Sequence, residues 1–171
     1  KNPEVIDYLN QENTYYDTMT ADTKGFQKDL YEEMKSRIKE DDESVPYLYN
    51  GYYYITRFET GKDYPIYSRK RGSLEAKEEI LFDCNEMSIG HAYFKLGGLS
   101  ISPDNNFVSF GMDTVGRRIY TIQIKNLATG EILRDKIENA TGSSVWANDN
   151  KTLFYTKQDE VTLRSDKVFK H

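Results

Sequence analysis

Serine, histidine, cysteine and paired carboxylates are the side chains from which hydrolytic and metal sites are built, and this 171-residue chain arranges them in few usable ways. Gly142-Ser143-Ser144 comes nearest to a strained nucleophile elbow. It lacks the second glycine that such an elbow needs, so Ser143 reads as a strand-edge residue. His91 could act as a general base, but no motif specifies a serine or cysteine beside it. With His171 it makes only two histidines, too few for a His-rich metal site, and neither belongs to a His-Glu-x-x-His pattern. Cys84 stands alone, which excludes an internal disulfide and a cysteine-based zinc cluster. Glu32-Glu33 and Glu78-Glu79 are sequence neighbours that point in different directions on a helix or strand, so each pair reads as solvated surface. Gly97-Gly98 lacks the third glycine or the lysine of a phosphate loop and reads as a backbone bend. Asp104-Asn105-Asn106 and Asn148-Asp149-Asn150 lack the glycine and late glutamate of a calcium loop and read as turns. These residues nominate no catalytic group, no cofactor and no metal.

The elements that would position any site are clearer. Fourteen Tyr, eight Phe and one Trp are far more aromatic surface than a disordered chain carries, so the sequence predicts a packed core. A net charge of −5, with Arg69-Lys70-Arg71 as the longest basic run, argues against a nucleic-acid partner. No run of 18 apolar residues predicts a membrane span, and Lys1-Asn2-Pro3 does not open a signal peptide; with the lone thiol, this points to a cytoplasmic location. Asn2-Pro3-Glu4 supplies a cap, a first-turn proline and a first-turn acid, predicting a helix over about 3–19. Thr20 or Asp22 can cap a second helix, in which Phe26, Leu30, Met34 and Ile38 form a stripe ending near Glu40. The acidic run Asp41-Asp42-Glu43-Ser44 then marks a boundary, giving a helical segment over 1–44 and a β region over 45–171.

Beyond that boundary, polar turns alternate with strands rich in Tyr, Ile, Val, Thr and Phe. Asn50-Gly51 precedes Tyr52 to Thr56, Pro103-Asp104-Asn105 precedes Phe107 to Phe110, and Asn148-Asp149-Asn150 precedes Leu153 to Thr156. A second strand follows each after a loop of about ten residues (Ile66-Tyr67, Ile119 to Ile124, Val168-Phe169), and Ile80 to Asp83 and Ile132 to Ile137 close the first two units. The fold class predicted is mainly β with N-terminal α-helices: antiparallel four-stranded blades of an incomplete β-propeller. Up-down topology would gather the loops near 57–64, 85–94, 113–118 and 138–143 on one face, with Arg57, Lys62, His91, Asp113, Arg117, Arg118 and Thr141 on them.

Five stretches carry a resemblance. They are Asn2-Pro3-Glu4-Val5-Ile6-Asp7-Tyr8-Leu9 with Glu12-Asn13, Leu96-Gly97-Gly98-Leu99-Ser100-Ile101-Ser102-Pro103-Asp104, Arg117-Arg118-Ile119-Tyr120, Asn126-Leu127-Ala128-Thr129-Gly130, and Val145-Trp146-Ala147-Asn148-Asp149. Across nearly the whole chain, in order, they resemble the oligopeptidase B (protease II) group of the prolyl oligopeptidase family of serine peptidases. The resemblance implies an N-terminal helical region, then a propeller seated over a C-terminal α/β-hydrolase domain that holds the Ser, Asp and His triad and cuts short peptides after Arg or Lys. It carries no catalytic residue onto this chain, which would hold the helices, the first two blades and part of a third, and would be inactive alone. It also implies that the longer loop face turns toward the hydrolase domain. Asp113, Arg117, Arg118, Thr141 and Ser143 then become candidates for substrate access or interdomain contact, Thr141 to Ser144 because the matching segment contributes to a substrate pocket in related prolyl enzymes. In such an enzyme the triad serine attacks the peptide carbonyl while histidine shuttles the proton and an oxyanion hole holds the intermediate. This segment would wall the site against folded proteins, and its negative charge would favour cationic peptides. Another reading keeps the chain as a stand-alone module that binds a peptide or glycan on its tyrosine-rich β surface. Open sheet edges would also let it self-associate.

Overall fold

Asn2 and Pro3 begin the first helix by the means their sequence predicts. In the computed structural model, which describes residues 2–159, 161–162 and 164–171, the Asn2 side-chain oxygen accepts the Glu4 N–H at 3.0 Å and opens α1 (Pro3–Met19). Thr20 does not start the second helix. Its N–H and its hydroxyl both donate to the Tyr16 carbonyl, at 2.9 and 2.8 Å, closing α1 instead. A 3₁₀ turn over Ala21–Thr23 follows, and α2 runs Lys24–Ser36. It stops short of Glu40, leaving Ile38 past its end. The Ser36 hydroxyl donates to the Glu33 carbonyl at 2.7 Å, a local bond that competes with the helical ladder. Phe26, Leu30 and Met34 lie exposed along α2. These helices belong to a first unit ending at Glu40; the second spans Asp41–His171.

The second unit is antiparallel throughout. β1 (Tyr47–Tyr49), β2 (Tyr52–Arg57), β3 (Ile66–Arg71) and β4 (Glu78–Asp83) form one sheet in sequence order. A single turn of helix, α3 (Cys84–Met87), follows, its N-terminus capped by the Asp83 carboxylate. β5 (Lys95–Ile101), β6 (Phe107–Asp113), β7 (Tyr120–Asn126), β8 (Ile137–Trp146), β9 (Leu153–Gln158) and β10 (Ser165–Lys170) form a curled six-stranded sheet, again in sequence order. The blades of the sequence reading are present, each opened by a strand (β1, β5 and the second half of β8) that lies ahead of its turn.

Two expectations are corrected here. Ile132 makes only an isolated bridge to Lys125, and the regular strand starts at Ile137. The segment 138–143 is not a loop. β8 runs through it unbroken, pairing Ile137 with Ile122 and Ala140 with Tyr120 on β7, then Ser144 with Tyr155 and Trp146 with Leu153 on β9. Thr141 and Ser143 are therefore strand residues. Gly142, at φ +90°, lets the strand turn across the sheet without breaking, and its backbone lies directly on Gly98 and Gly111. A β-carbon on Gly98 would fall on the Gly142 carbonyl oxygen, and one on Gly111 would lie 2.6 Å from Gly142 Cα. Gly97-Gly98 is a backbone bend within β5, with Gly98 at φ 63° where the register with β6 shifts, and it is also the strand's close-contact point.

One apolar layer lies between the two sheets and a second within the curl of the six-stranded sheet. Tyr54, Leu81 and Phe82 of the first sheet meet Phe94, Leu96, Val108 and Phe110, with the Phe82 and Phe110 rings 4.6 Å apart. Ile122, Ile124, Ile137, Ala140 and Leu153 form the second layer, flanked by Phe107, Trp146 and Tyr155. Burying one such large side chain contributes about 1.5–3 kcal/mol, against roughly 1 kcal/mol net for a typical hydrogen bond, so the stacked faces and not the strand ladders drive docking. Polar contacts then set the register. Trp146 Nε1–H donates to the Ser100 carbonyl at 2.9 Å, the Ser109 and Ser144 hydroxyls lie 2.8 Å apart, and the Lys125 ammonium donates to the Leu81 carbonyl at 2.6 Å over the Phe82 ring.

The repeating turns also join one another. Asn50, Asn105 and Asn150 all take left-handed backbone, at φ 47°, 62° and 60°, a conformation that asparagine tolerates better than most residues. The Asn50 amide donates to the Pro103 carbonyl at 2.6 Å, the Asn105 amide to the Asn50 carbonyl at 3.2 Å, and the Asn150 side-chain oxygen accepts the Asp104 N–H at 2.9 Å.

Replacing Gly142 by alanine would put a β-carbon 2.7 Å from the Tyr120 ring at an unfavourable φ. We expect a loss of about 2–4 kcal/mol in urea unfolding. Gly130→Ala is the control: its φ is also positive, +76°, but the space around it is open, so only about 1 kcal/mol should be lost. Equal effects of the two would mean that backbone conformation, and not the close approach at Gly142, sets the cost.

Candidate functional site

The connections at one end of the sheets interlock from blade to blade. Asn85, in α3, clamps the chain at Tyr64: its side-chain oxygen accepts the Tyr64 N–H at 2.9 Å and its amide donates to the Tyr64 carbonyl at 2.8 Å. Tyr64 meets Phe94 edge to face at 5.7 Å. Gly116 lies against the Tyr93 ring, so close that a β-carbon there would touch it at 3.4 Å. The 57–64, 85–94 and 113–118 loops are thereby joined in order.

Asp113 organises the third of these. It ends β6 wholly buried, and its two oxygens accept the backbone N–H groups of Val115 and Gly116, each at 2.9 Å, and of Arg118 at 2.8 Å. Burial alone would raise its pKa. The N–H donors outweigh that, those of Val115, Gly116, Arg118 and Arg117, and hold the carboxyl below its ordinary value. The carboxylate is spent on the backbone, fixing a turn in which Arg118 takes a left-handed φ of 58°. Arg117 and Arg118 are carried outward, both exposed. They open onto a cleft of about 410 Å³ lined by Gly116, Arg117, Arg118, Ile119, Asn139, Gln158 and Asp159. Among the described residues neither guanidinium has an ion-pair partner. One oxygen of the Asp159 carboxylate, Oδ1, accepts the Val161 and Thr162 N–H groups at 3.1 and 2.7 Å and the Thr162 hydroxyl at 2.9 Å.

Of the five residues singled out from sequence, the structure puts Asp113, Arg117 and Arg118 in one loop, the two arginines on the cleft. It sets Thr141 and Ser143 apart on β8. The Thr141 hydroxyl pairs with that of Thr156 at 2.8 Å, and Ser143 is exposed on the strand. Asn139, Gln158 and Asp159 escaped the sequence reading. β8–β9 pairing brings them to the arginines, and no local motif records that pairing. The other chemistry-bearing side chains lie elsewhere. His91 lies tilted beside Phe94 with ring centroids 6.2 Å apart, and His171 sits 3.1 Å from the Asp135 carboxylate. Among the described residues neither imidazole hydrogen-bonds a serine, threonine or cysteine. Burial, reinforced by Asp83, pushes the Cys84 thiol up to about 12, so it stays protonated and unreactive at neutral pH. Among the described residues no three His, Cys, Asp or Glu groups gather as a metal site, and no helix is long and apolar enough to cross a membrane.

Successive antiparallel sheets stacked face to face, with interlocked loops at one end, define the class: a β-propeller segment preceded by helices. Residues 1–171 match the family model described as the prolyl oligopeptidase N-terminal beta-propeller domain, and the chain belongs to that family. It is 41% identical to dipeptidyl aminopeptidase BI of Pseudoxanthomonas mexicana, with all of this chain covering 26% of that protein. It is 32% identical to protease 2 of Moraxella lacunata over 93% of this chain and 24% of the relative. Among solved structures, oligopeptidase B from Trypanosoma brucei, in a closed form with covalently bound antipain, superposes with a TM-score of 0.87 at 29% identity, over 100% of this chain and 24% of that one. The chain thus spans about a quarter of the length of the relatives it matches.

Asp113→Asn tests the loop's organisation. An amide NH₂ would face the Arg118 N–H or the Val115 and Gly116 N–H groups donor to donor, which should cost about 2–3 kcal/mol. Folding lowers the Asp113 pKa, so the native state binds fewer protons than the unfolded chain in the acid range. The stabilisation is complete above the unfolded value of about 3.9 and drains away as pH falls through the lower native value. Stability of the variant, followed by thermal unfolding from pH 7 down to pH 2, should fall less steeply below pH 4 than that of the parent. An unchanged acid limb would show that this carboxylate does not organise the loop.

Proposed function

We propose that this chain is the entry-filtering part of a longer serine peptidase. Residues 1–44 form its N-terminal helical segment, and 45–171 form the first two blades and part of a third. A downstream α/β-hydrolase domain supplies the Ser, His and Asp that carry out acyl transfer, and this segment contributes no catalytic residue. The loop end that holds Asp113, Arg117 and Arg118 turns toward that domain and restricts the site to short, flexible peptides. The carrying observation is the match of the whole chain, at both sequence and backbone level, to about a quarter of peptidases several times its length. The interlocked loops support a rigid wall in place of a movable flap. A reducing cytoplasm suits the single buried thiol.

Within that class two cleavage patterns compete. Likeness to oligopeptidase B and protease 2 favours internal cleavage after Arg or Lys, which the net charge of −5 would assist by attracting cationic peptides. The 41% identity to a dipeptidyl aminopeptidase favours release of dipeptides from an amino terminus. A stand-alone peptide- or glycan-binding module has less support, because the likeness does not single out any bound surface.

The longer protein should be incubated with a decapeptide bearing one internal Arg and with a folded domain displaying the same sequence in a loop. Mass spectrometry should find the peptide cut and the folded domain intact. A fragment ending at Arg supports the endopeptidase pattern, and successive loss of residue pairs the dipeptidyl one. Equal digestion of both substrates would overturn the filtering role; digestion of neither would overturn the peptidase assignment.

A further inference from the structure

The cleft beside β7 is basic on an acidic protein. Two exposed guanidiniums enter it from one turn, while the chain as a whole carries −5. Two ionised acids lie close by, Asp113 wholly buried behind the turn and Asp159 in the lining, but both hold backbone N–H groups and, among the described residues, neither forms an ion pair with a guanidinium. Asn139 and Gln158, on β8 and β9, add amide side chains to the lining. Planar forked guanidiniums beside amide donors match the two-oxygen geometry of a carboxylate, a pairing in which charge-assisted bonds are about twice as strong as neutral ones. The backbone of the turn is fixed before any ligand arrives, so the ordering on binding is confined to the exposed arginine side chains.

We infer that the Arg117–Arg118 cleft is a carboxylate subsite for short peptides. It takes a peptide's C-terminal carboxylate or an acidic side chain and repels a basic residue from the same place, so a cationic peptide is held in one direction. The inference rests on the peptidase reading but adds to it a polarity and an upper limit on length. A carboxylate anchored at a fixed distance from the site of cleavage favours peptides that span that distance.

The test compares three versions of one peptide on the longer protein: the free acid, its C-terminal amide, and an amide whose last residue is Glu. Binding is measured by calorimetry and cleavage by kcat/KM, at low and high salt. The free acid should exceed the plain amide by about tenfold or more in Kd or kcat/KM, and the advantage should shrink as salt rises. In the double variant Arg117→Gln, Arg118→Gln, acid and amide should be equivalent while circular dichroism is unchanged. Recovery of affinity by the Glu amide upholds the subsite and assigns it to side-chain carboxylates as well; no recovery upholds it for the terminus alone. Equal binding of free acid, plain amide and Glu amide by the parent protein would overturn the inference without need of any variant, as would an acid preference that survives in the double variant. Should the protein cleave none of the peptides, the peptidase reading fails on its own, and the binding comparison still decides the subsite.

Discussion

The path of the chain after residue 137 depends on one backbone contact, where Gly142 lies on Gly98 and Gly111 with the Tyr120 ring against it. No side chain larger than hydrogen fits at these three points, and the absence of side chains is what allows β8 to leave the edge of β7 and cross toward β9 without an intervening loop. A loop there would have exposed or buried unpaired backbone groups. The continuous strand instead hands its hydrogen bonds from one neighbour to the next. Ser109 meeting Ser144, and Trp146 reaching the Ser100 carbonyl, follow from that crossing, because they lie within a few residues of it on the same strands. The second apolar layer follows as well, since Ile137 and Ala140 lie before the crossing and Trp146 after it.

Rigidity at the two ends of the sheets is achieved differently. At the hairpin end, three asparagines in equivalent turns join consecutive repeats through side-chain bonds to backbone, Asn50 and Asn105 donating to carbonyls and Asn150 accepting an N–H. At the opposite end one device recurs, Asp113 and Asp159 each accepting the N–H groups two and three residues on, and the remaining contacts differ. There a clamp at Asn85, an aromatic contact between Tyr64 and Phe94, and the buried Asp113 do the joining one at a time. Irregular joining leaves side chains free to differ from loop to loop, which is where a site can be placed on a repetitive scaffold.

How much of this was legible follows from how local each signal is. Asn-Gly, Pro-Asp-Asn and Asn-Asp-Asn are short-range turn chemistry, and they located the hairpins and the repeat correctly, as Asn2-Pro3 located the first helix. Strands opening each blade were harder. β1 is three residues long beside Pro46, and β5 contains Gly97-Gly98, whose usual reading is a break. Gly142 misled for the same reason. A glycine needed for close approach is indistinguishable in sequence from one needed for a turn, and only the partner strand tells them apart. At the cleft, Arg117 and Arg118 were visible as a charged loop pair, whereas Asn139 and Gln158 acquire their place through β8–β9 pairing with no motif of their own. The internal hydrogen bonds of Asp113 had no sequence signal that separates an organising acid from a reactive one.

That distinction shapes what a domain of this kind can do. A buried acid with depressed pKa in a loop beside a cleft is the usual mark of a functional carboxylate, yet here all three accepted N–H groups belong to its own turn. Its ionisation stabilises loop geometry and leaves no lone pair directed at a ligand that could be replaced without unmaking the turn. Cys84, protonated and enclosed, is equally withdrawn from chemistry. At the cleft, the groups that can meet a ligand include the Arg117 and Arg118 guanidiniums and the Asn139 and Gln158 amides, which bind and orient. On the peptidase reading proposed above, this segment selects and positions the peptide and the downstream hydrolase domain breaks the bond.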